Sequence, residues 1–222
     1  MAEIITWLMV SYFLAVHGIY LMLSLLAARA LYRNQRYREI EALPLSYSLL
    51  SPPISVLVPA YNEETTITAT VESLLQLAYA EFEVIVINDG SKDNTLQVLV
   101  DRFGLLPYPE AYRVQIPTQA VRGIYRSTRH TNLRVIDKAN GGKADSLNAG
   151  INASHYPLFC GVDADSILER DSLQKVVQPF LRSPDMVATG GTIRAANGCD
   201  VRGGDLHRVD LPRNPWALFQ VM

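Results

Sequence analysis

Ile54-Ser55-Val56-Leu57-Val58-Pro59-Ala60-Tyr61-Asn62-Glu63 is the stretch that decides how this chain is read. Ile54 to Val58 is a short β-branched apolar run, the composition of a buried strand, and Pro59 ends it because proline cannot donate to a strand ladder. Tyr61, Asn62 and Glu63 follow immediately. From Glu63 to Leu77 the period changes: apolar residues recur at helical spacing, at Ile67, Val71, Leu74 and Leu75. A strand, a few polar residues and a helix form the first half of a βαβ unit.

The alternation repeats downstream. Phe82 to Ile87 reads as a strand closed by Asn88-Asp89-Gly90-Ser91, and Asp93 to Phe103 as a helix. Leu133 to Ile136 is a third strand, Lys143 to Ala153 a helix and Pro157 to Val162 a fourth strand. A helix from about Arg170 to Leu181 and a fifth strand at Met186 to Thr189 complete the series. Such alternation predicts an α/β fold, a mostly parallel sheet with helices on both faces. Sheets of this kind bind ligands at the carboxyl ends of their strands. Tyr61, Asn62 and Glu63 lie at the end of strand one, Asp89 at the end of strand two, and Asp163 and Asp165 at the end of strand four. Gly104 to Asn132 breaks the pattern, with four arginines (Arg113, Arg122, Arg126, Arg129) and three tyrosines. It reads as a long insertion, whose arginines could grip a lipid headgroup or a partner, or simply be solvated.

Ahead of this domain, Ile4 to Ala28 is a run of 25 residues without an acid or a base other than His17. As a helix it extends ~37 Å, more than the ~30 Å of bilayer hydrocarbon. Trp7, Tyr12 and Tyr32 lie near its ends, where amphipathic rings favour the interface. Arg29, Arg33, Arg36 and Arg38 follow, against Glu3 alone on the other flank, so the positive-inside rule puts the N-terminus outside and the rest in the cytosol. A cleaved signal peptide is disfavoured, because the run is long, lacks a leading charge and is followed by arginines. A lone His17 reads as a packed side chain. The organisation expected is a transmembrane helix at 1–30, a basic juxtamembrane helix and linker at 31–53, a donor-binding domain at 54–197 and a tail at 198–222.

Composition narrows the function. The chain has 222 residues, 49% hydrophobic and 19% charged, which is neither disordered nor fibrous. A net charge of −2 gives no reason to expect a nucleic-acid surface. Cys160 and Cys199 lack zinc-like spacing and suit a reducing compartment as ordinary thiols.

The polar residues at the strand ends carry the chemistry. Asp163-Ala164-Asp165 presents two carboxylates of the kind that hold Mg²⁺ or Mn²⁺ against a departing diphosphate, with a solvated turn as the plain alternative. Asn140-Gly141-Gly142-Lys143 opens a helix, where glycines permit close approach to a phosphate and Lys143 adds a cation. It is not a P-loop, because the first glycine and the Ser/Thr after the lysine are missing. No Gly-x-Gly-x-x-Gly follows strand one, which argues against a dehydrogenase. Asp89 either caps the following helix or accepts the N3–H of a uracil, and Tyr61 offers a stacking face.

In their order and spacing these segments resemble family 2 glycosyltransferases of the GT-A fold. They are Val58 to Glu63, Ile87 to Ser91, Asn140 to Gly150 and Asp163-Ala164-Asp165. The likeness is greatest to membrane-bound, inverting polysaccharide synthases of the poly-N-acetylglucosamine, hyaluronan and cellulose synthase type, and covers about Ile54 to Asn197. It implies that Pro59, Tyr61, Glu63 and Asp89 surround the uracil and ribose of a UDP-sugar. It also implies that Lys143 lies near the nucleotide, and that Asp163 and Asp165 engage ribose, diphosphate and the metal. The acceptor would be a carbohydrate or lipid-linked chain at the cell membrane. Asn88 stands where the family commonly has an aspartate. The family's catalytic aspartate and its Gln-x-x-Arg-Trp motif do not occur, and Asp205 and Asp210 have the wrong context to replace that base. The expectation is therefore the front part of a longer synthase, inactive on its own, with the general base beyond Met222. Transfer to a polyprenyl phosphate and a non-catalytic nucleotide-sugar-binding module are the competing functions.

Overall fold

The computed structural model describes residues 2–41, 51–112, 114–192, 199–202 and 205–208. The chain divides into two compact units, Met1–Leu45 and Ser46–Met222.

The first unit is one helix, α1, Ala2–Glu41. Its segment Glu3–Ala30 contains an 18-residue stretch of mean hydropathy 1.8 and is long and apolar enough to cross a membrane. The side chains along it are exposed, Trp7 at 71% and Leu14 at 69%. The helix runs on through the arginine-bearing segment to Glu41, as its sequence predicts. His17 needs no neighbour from elsewhere: its Nδ1 lies 2.7 Å from the carbonyl oxygen of Phe13, one turn back.

The second unit is built on a six-stranded sheet. Its strands are β1 (Ile54–Ala60), β2 (Phe82–Asn88), β3 (Leu105–Pro107), β4 (Val121–Ser127), β5 (Leu133–Lys138) and β6 (Leu158–Gly161). The spatial order is β3-β4-β5-β2-β1-β6. The four strands β5, β2, β1 and β6 are mutually parallel, while β4 runs antiparallel to both its neighbours. The helices α2 (Ile67–Leu75), α3 (Thr95–Phe103), α4 (Lys143–Ala153) and α5 (Ser172–Arg182) connect or follow these strands.

Period-two alternation divides the core in two, because successive side chains of a strand point to opposite faces. On one face Val56 and Val58, Val84 and Val86, and Leu133 and Val135 pack against Val71 and Leu74 of α2, Leu99 of α3 and Leu173 of α5. On the other, Leu57, Ile85, Ile87 and Ile136 meet Ala149 and Ala153 of α4. Helix α4 comes close because Gly150 faces the sheet, where an added Cβ would lie 3.0 Å from Leu57 and 3.1 Å from Ile87. The central strands are buried on both faces, so they read as continuous apolar runs.

Two expectations need correction. Met186 to Thr189 is not a strand: it follows α5 as irregular chain with Val187 at 92% exposure. A β-branched run becomes a strand only when a ladder partner exists, and none lies beside it among the described residues. The segment 104–132 is not a long loop, since it contributes β3 and β4 to the sheet edge. Its arginines hide this, because Val121-Arg122-Gly123-Ile124-Tyr125-Arg126 lacks a clean apolar alternation and Gly123 interrupts it. Three of the segment's arginines are held within the molecule, and Arg113 lies outside the described residues. Arg122 pairs with Asp137 at 3.5 Å, Arg126 pairs with Glu110 at 3.2 Å and Arg129 donates to the carbonyl of Arg102 at 2.6 Å.

A short antiparallel pair, β7 (Asp200–Arg202) and β8 (Asp205–Arg208), lies in the tail. Asp205 is therefore on a strand, whereas Asp210 and the apolar end at 216–222 lie outside the described residues. Both cysteines are free thiols, and burial pushes the Cys160 thiol up, away from reactivity.

Candidate functional site: a cleft at the carboxyl ends of the parallel strands

The four parallel strands all end on one edge of the sheet, and the segments that leave them enclose a cleft of about 360 Å³. Strand β1 delivers Pro59, Ala60, Tyr61 and Glu63, and β2 delivers Asp89. The turn after β5 contributes Asn140 and Gly142, α4 adds Lys143 and Ser146, and the chain leaving β6 adds Asp163, Ala164 and Asp165. All seven residues singled out in the sequence, Pro59, Tyr61, Glu63, Asp89, Lys143, Asp163 and Asp165, therefore lie around the same space.

The cleft wall nearest Tyr61 is stiffened by cross-links between loops. Asn62 has a left-handed backbone, φ 57°, which asparagine tolerates better than most residues. Its N–H donates to Ser91 Oγ at 3.0 Å, and its Oδ1 accepts from the N–H of Lys92 at 2.8 Å. The Glu63 N–H donates to Thr95 Oγ1 at 2.9 Å, while the Glu63 carboxylate accepts from Thr66 Oγ1 at 2.6 Å. Gly90 is required here: its φ is +66°, and a Cβ would come within 2.8 Å of the Asn140 backbone nitrogen. Tyr61 is left 42% exposed among the residues that line the cleft.

Asp89 is buried, 3% exposed. Its Oδ1 accepts from Lys138 Nζ at 2.5 Å and from the N–H of Gly141 at 3.0 Å. Its Oδ2 accepts from the N–H of Gly142 at 2.7 Å and from Asn140 Nδ2 at 3.1 Å. Burial pushes this carboxylate up, but the Lys138 ammonium and the two glycine N–H groups outweigh it and hold Asp89 below the usual carboxylate range. Asp89 thus fastens the glycine turn to the end of β2, in addition to lining the cleft.

Lys143 opens α4, whose N-terminus carries no side-chain cap. Its ammonium pairs with Asp163 across the cleft. Both are more than half exposed, 63% and 55%, so water screens the pair and it adds little stability. Asp163 and Asp165 are hard oxygen donors at the mouth of the cleft. No group of three or more His, Cys, Asp or Glu side chains suited to a metal occurs among the described residues. Two carboxylates nevertheless fit a Mg²⁺- or Mn²⁺-type ion that takes its remaining ligands from phosphate and water.

Lys138 is the residue that the sequence reading missed, while Asn140 and Asp145 stood inside the glycine motif without a role of their own. Lys138 follows an apolar strand with no local mark of function, and its partner Asp89 is 49 residues away. Asn88 also gains a reason. Its Nδ2 donates to Asp137 Oδ1 at 2.7 Å, both residues being buried, and an aspartate at 88 would set two carboxylates face to face. The Asn88 Oδ1 is buried without a hydrogen-bond partner.

The description Glycosyl transferase family 2 matches residues 55–114 and 117–215. Poly-beta-1,6-N-acetyl-D-glucosamine synthases of Staphylococcus epidermidis and of Staphylococcus aureus strain COL are each 30% identical over 151 residues, 68% of this chain and 31% of the relative. The chain thus spans about a third of the length of the curated relatives it matches. Among solved structures, Staphylococcus aureus TarS 1–349 in complex with UDP-GlcNAc is 26% identical over 59% of this chain and 31% of that one, TM-score 0.43. The Pyrobaculum calidifontis mannosyltransferase PcManGT with GDP-Man and Mn²⁺ is 21% identical over 61% of this chain and 34% of that one, TM-score 0.47. The matched residues take in the whole cleft and the sheet that carries it: the chain belongs to glycosyl transferase family 2.

Proposed function

We propose that this chain supplies the donor side of a membrane-anchored, inverting glycosyltransferase. Its donor would be a UDP-sugar, UDP-N-acetylglucosamine or UDP-glucose, and its acceptor a growing polysaccharide. The observation that carries the reading is the convergence of four strand ends on one cleft that holds an aromatic face, a cation and a pair of carboxylates. The resemblance to polysaccharide synthases and the 30% identity to two of them favour a polymer over a single transfer.

Each group has a physical role in this reading. Tyr61 and Pro59 offer surfaces against which a base can lie, and the N-terminus of α4 places its amides and positive dipole end towards a diphosphate. Lys143 exchanges its exposed partner Asp163 for the phosphates, where its charge stabilises the leaving group more than the ground state. Asp163 and Asp165 would hold Mg²⁺ or Mn²⁺, which supplies charge neutralisation to the departing diphosphate. The apolar span Glu3–Ala30 would anchor the domain, and the arginines after it favour a cytosolic domain with the N-terminus outside. The cytosol is also where nucleotide sugars are made.

Calorimetric titration of UDP into the detergent-solubilised chain, with and without Mn²⁺, tests the proposal. Saturable binding that needs Mn²⁺ and disappears in Asp165→Ala is the expected result. A folded chain that ignores UDP under both conditions would sink it.

A further inference from the structure

We propose that Lys138 is the positioning residue of the donor cleft: one buried ammonium ties Asp89 to Asp145 and thereby sets both the glycine turn and the first turn of α4. The proposal rests on the donor-cleft reading above. Lys138 ends β5 with 0% exposure, and a lysine in that position has to satisfy three N–H donors inside the protein. It does so with Asp89 Oδ1 at 2.5 Å, Asp145 Oδ2 at 2.6 Å and the carbonyl of Ala139 at 2.7 Å. These acceptors belong to three segments: the end of β2, the start of α4 and the turn between β5 and α4.

The arrangement passes from the ammonium to the cleft in two steps. Asp89, fixed by Lys138, collects the N–H groups of Gly141 and Gly142. Asp145, fixed from the same nitrogen, lies so near the turn that a Cβ on Gly141 would be 2.4 Å from its Oδ2. Asp145 also accepts the N–H of Gln119 at 3.0 Å, which brings in the chain leading to β4. Lys143 is the first residue of the helix positioned in this way. Lys138 itself does not line the cleft, so it touches no ligand and acts only through these two carboxylates. Without the ammonium, two carboxylates would face each other beneath the turn, and their repulsion would drive it open.

The test is Lys138→Met in the full chain, followed by hydrogen-exchange mass spectrometry and by UDP titration with Mn²⁺. Exchange over 139–147 is expected to rise at least tenfold while peptides from β1 and β2 keep wild-type protection, and UDP affinity to fall at least tenfold. A folded variant with wild-type exchange in the turn, or with wild-type affinity, would overturn the proposal. Should Lys138→Met fail to fold, the double variant K138M/D145N removes one negative charge together with the positive one. It is expected to fold and to show the same local release. Wild-type exchange in that variant, or loss of β1 and β2 protection in both, overturns the proposal and leaves Lys138 a plain core residue. A wild-type chain that does not bind UDP would sink the donor-cleft reading alone, because the exchange rates report on the clamp without any ligand.

Discussion

The two ends of the same parallel strands carry two buried charge networks, and they behave differently. At the amino ends, Glu83 of β2 and Arg134 of β5 pair at 2.6 Å with side-chain exposures of 8% and 5%. Arg134 also holds Glu110 at 3.0 Å and the carbonyl of Ala153 at 2.7 Å. Ser55 donates to Glu83 at 2.6 Å, and the ring of His155 lies 3.1 Å from Glu83 and 3.0 Å from Glu110. Arg126 stacks over the Tyr108 ring, 4.4 Å from its centroid, and pairs with Glu110. This network fastens the segment after β3 to the sheet. At the carboxyl ends, the Lys138 cluster is just as buried, but above it lies a cleft with Lys143 and Asp163 exposed. A cluster of charges is therefore not a site in itself. What marks the carboxyl ends is a cleft onto which exposed Lys143, Asp163 and Asp165 converge.

The largest effect expected from breaking this contrast is on stability, at the amino ends. Arg134→Met leaves Glu83 and Glu110 without their main partner, and removing one member of a buried pair costs roughly 3–5 kcal/mol. Urea unfolding should show that loss, while UDP affinity of the folded fraction stays within about twofold of wild type. A matching loss of affinity would mean that the two ends are coupled.

Acid should weaken both ends. Burial pushes Glu83 and Glu110 up, but the N–H of His155, the hydroxyl of Ser55 and Arg134 at Glu83 outweigh it, as do Arg134 and Arg126 at Glu110. Asp89 is held low in the same sense. A carboxylate whose folded pKa is depressed contributes stability above its unfolded pKa, about 4, and loses it as the pH falls through the folded value. Unfolding free energy should thus be flat above about pH 5 and fall below pH 4. Arg134→Met should shallow that acid slope, and an unchanged slope would remove Glu83 and Glu110 as its source.

Asn88→Asp sharpens the comparison at the cleft end. It sets a second carboxylate against Asp137 and should cost about 1–3 kcal/mol at neutral pH, measured by denaturant midpoint. The double variant N88D/D137N should recover most of the loss. Failure to recover would show that the amide matters for another reason.

The smallest effect on stability comes from the open groups. Lys143→Ala and Asp165→Ala should leave the unfolding midpoint where it is, because both side chains are exposed and the Lys143 pair is screened. Lys143→Ala should still weaken UDP binding about tenfold, the order expected for one cation near a diphosphate. A shifted midpoint would make these residues structural and bring the two ends closer in kind.

Much of this was legible from the sequence. Val56, Leu57 and Val58 announce a strand buried on both faces, and the residues just past it fall at the ligand-binding edge of any parallel sheet. Tyr61, Asp89 and the pair Asp163 and Asp165 could be named for that reason, Lys143 for the glycine turn that opens its helix, and the structure gathers them around one cleft. Strand β4 was not legible, because Arg122 and Arg126 interrupt its apolar pattern. They belong there only because Asp137 and Glu110 come from elsewhere to meet them. Met186 to Thr189 shows the converse, a strand-like composition with no neighbour to pair with.

The sequence by itself determined the order of the four parallel strands and the helices between them, the two-faced core and the row of polar residues past the strand ends, since each depends on side-chain period and backbone preference over a few residues. Only the tertiary structure decided which charges are neutralised. Lys138 carries no local signal, and its partners Asp89 and Asp145 come from other elements of the fold. A charge can be buried only where an opposite one arrives with it, and that arrival is settled by the path of the chain.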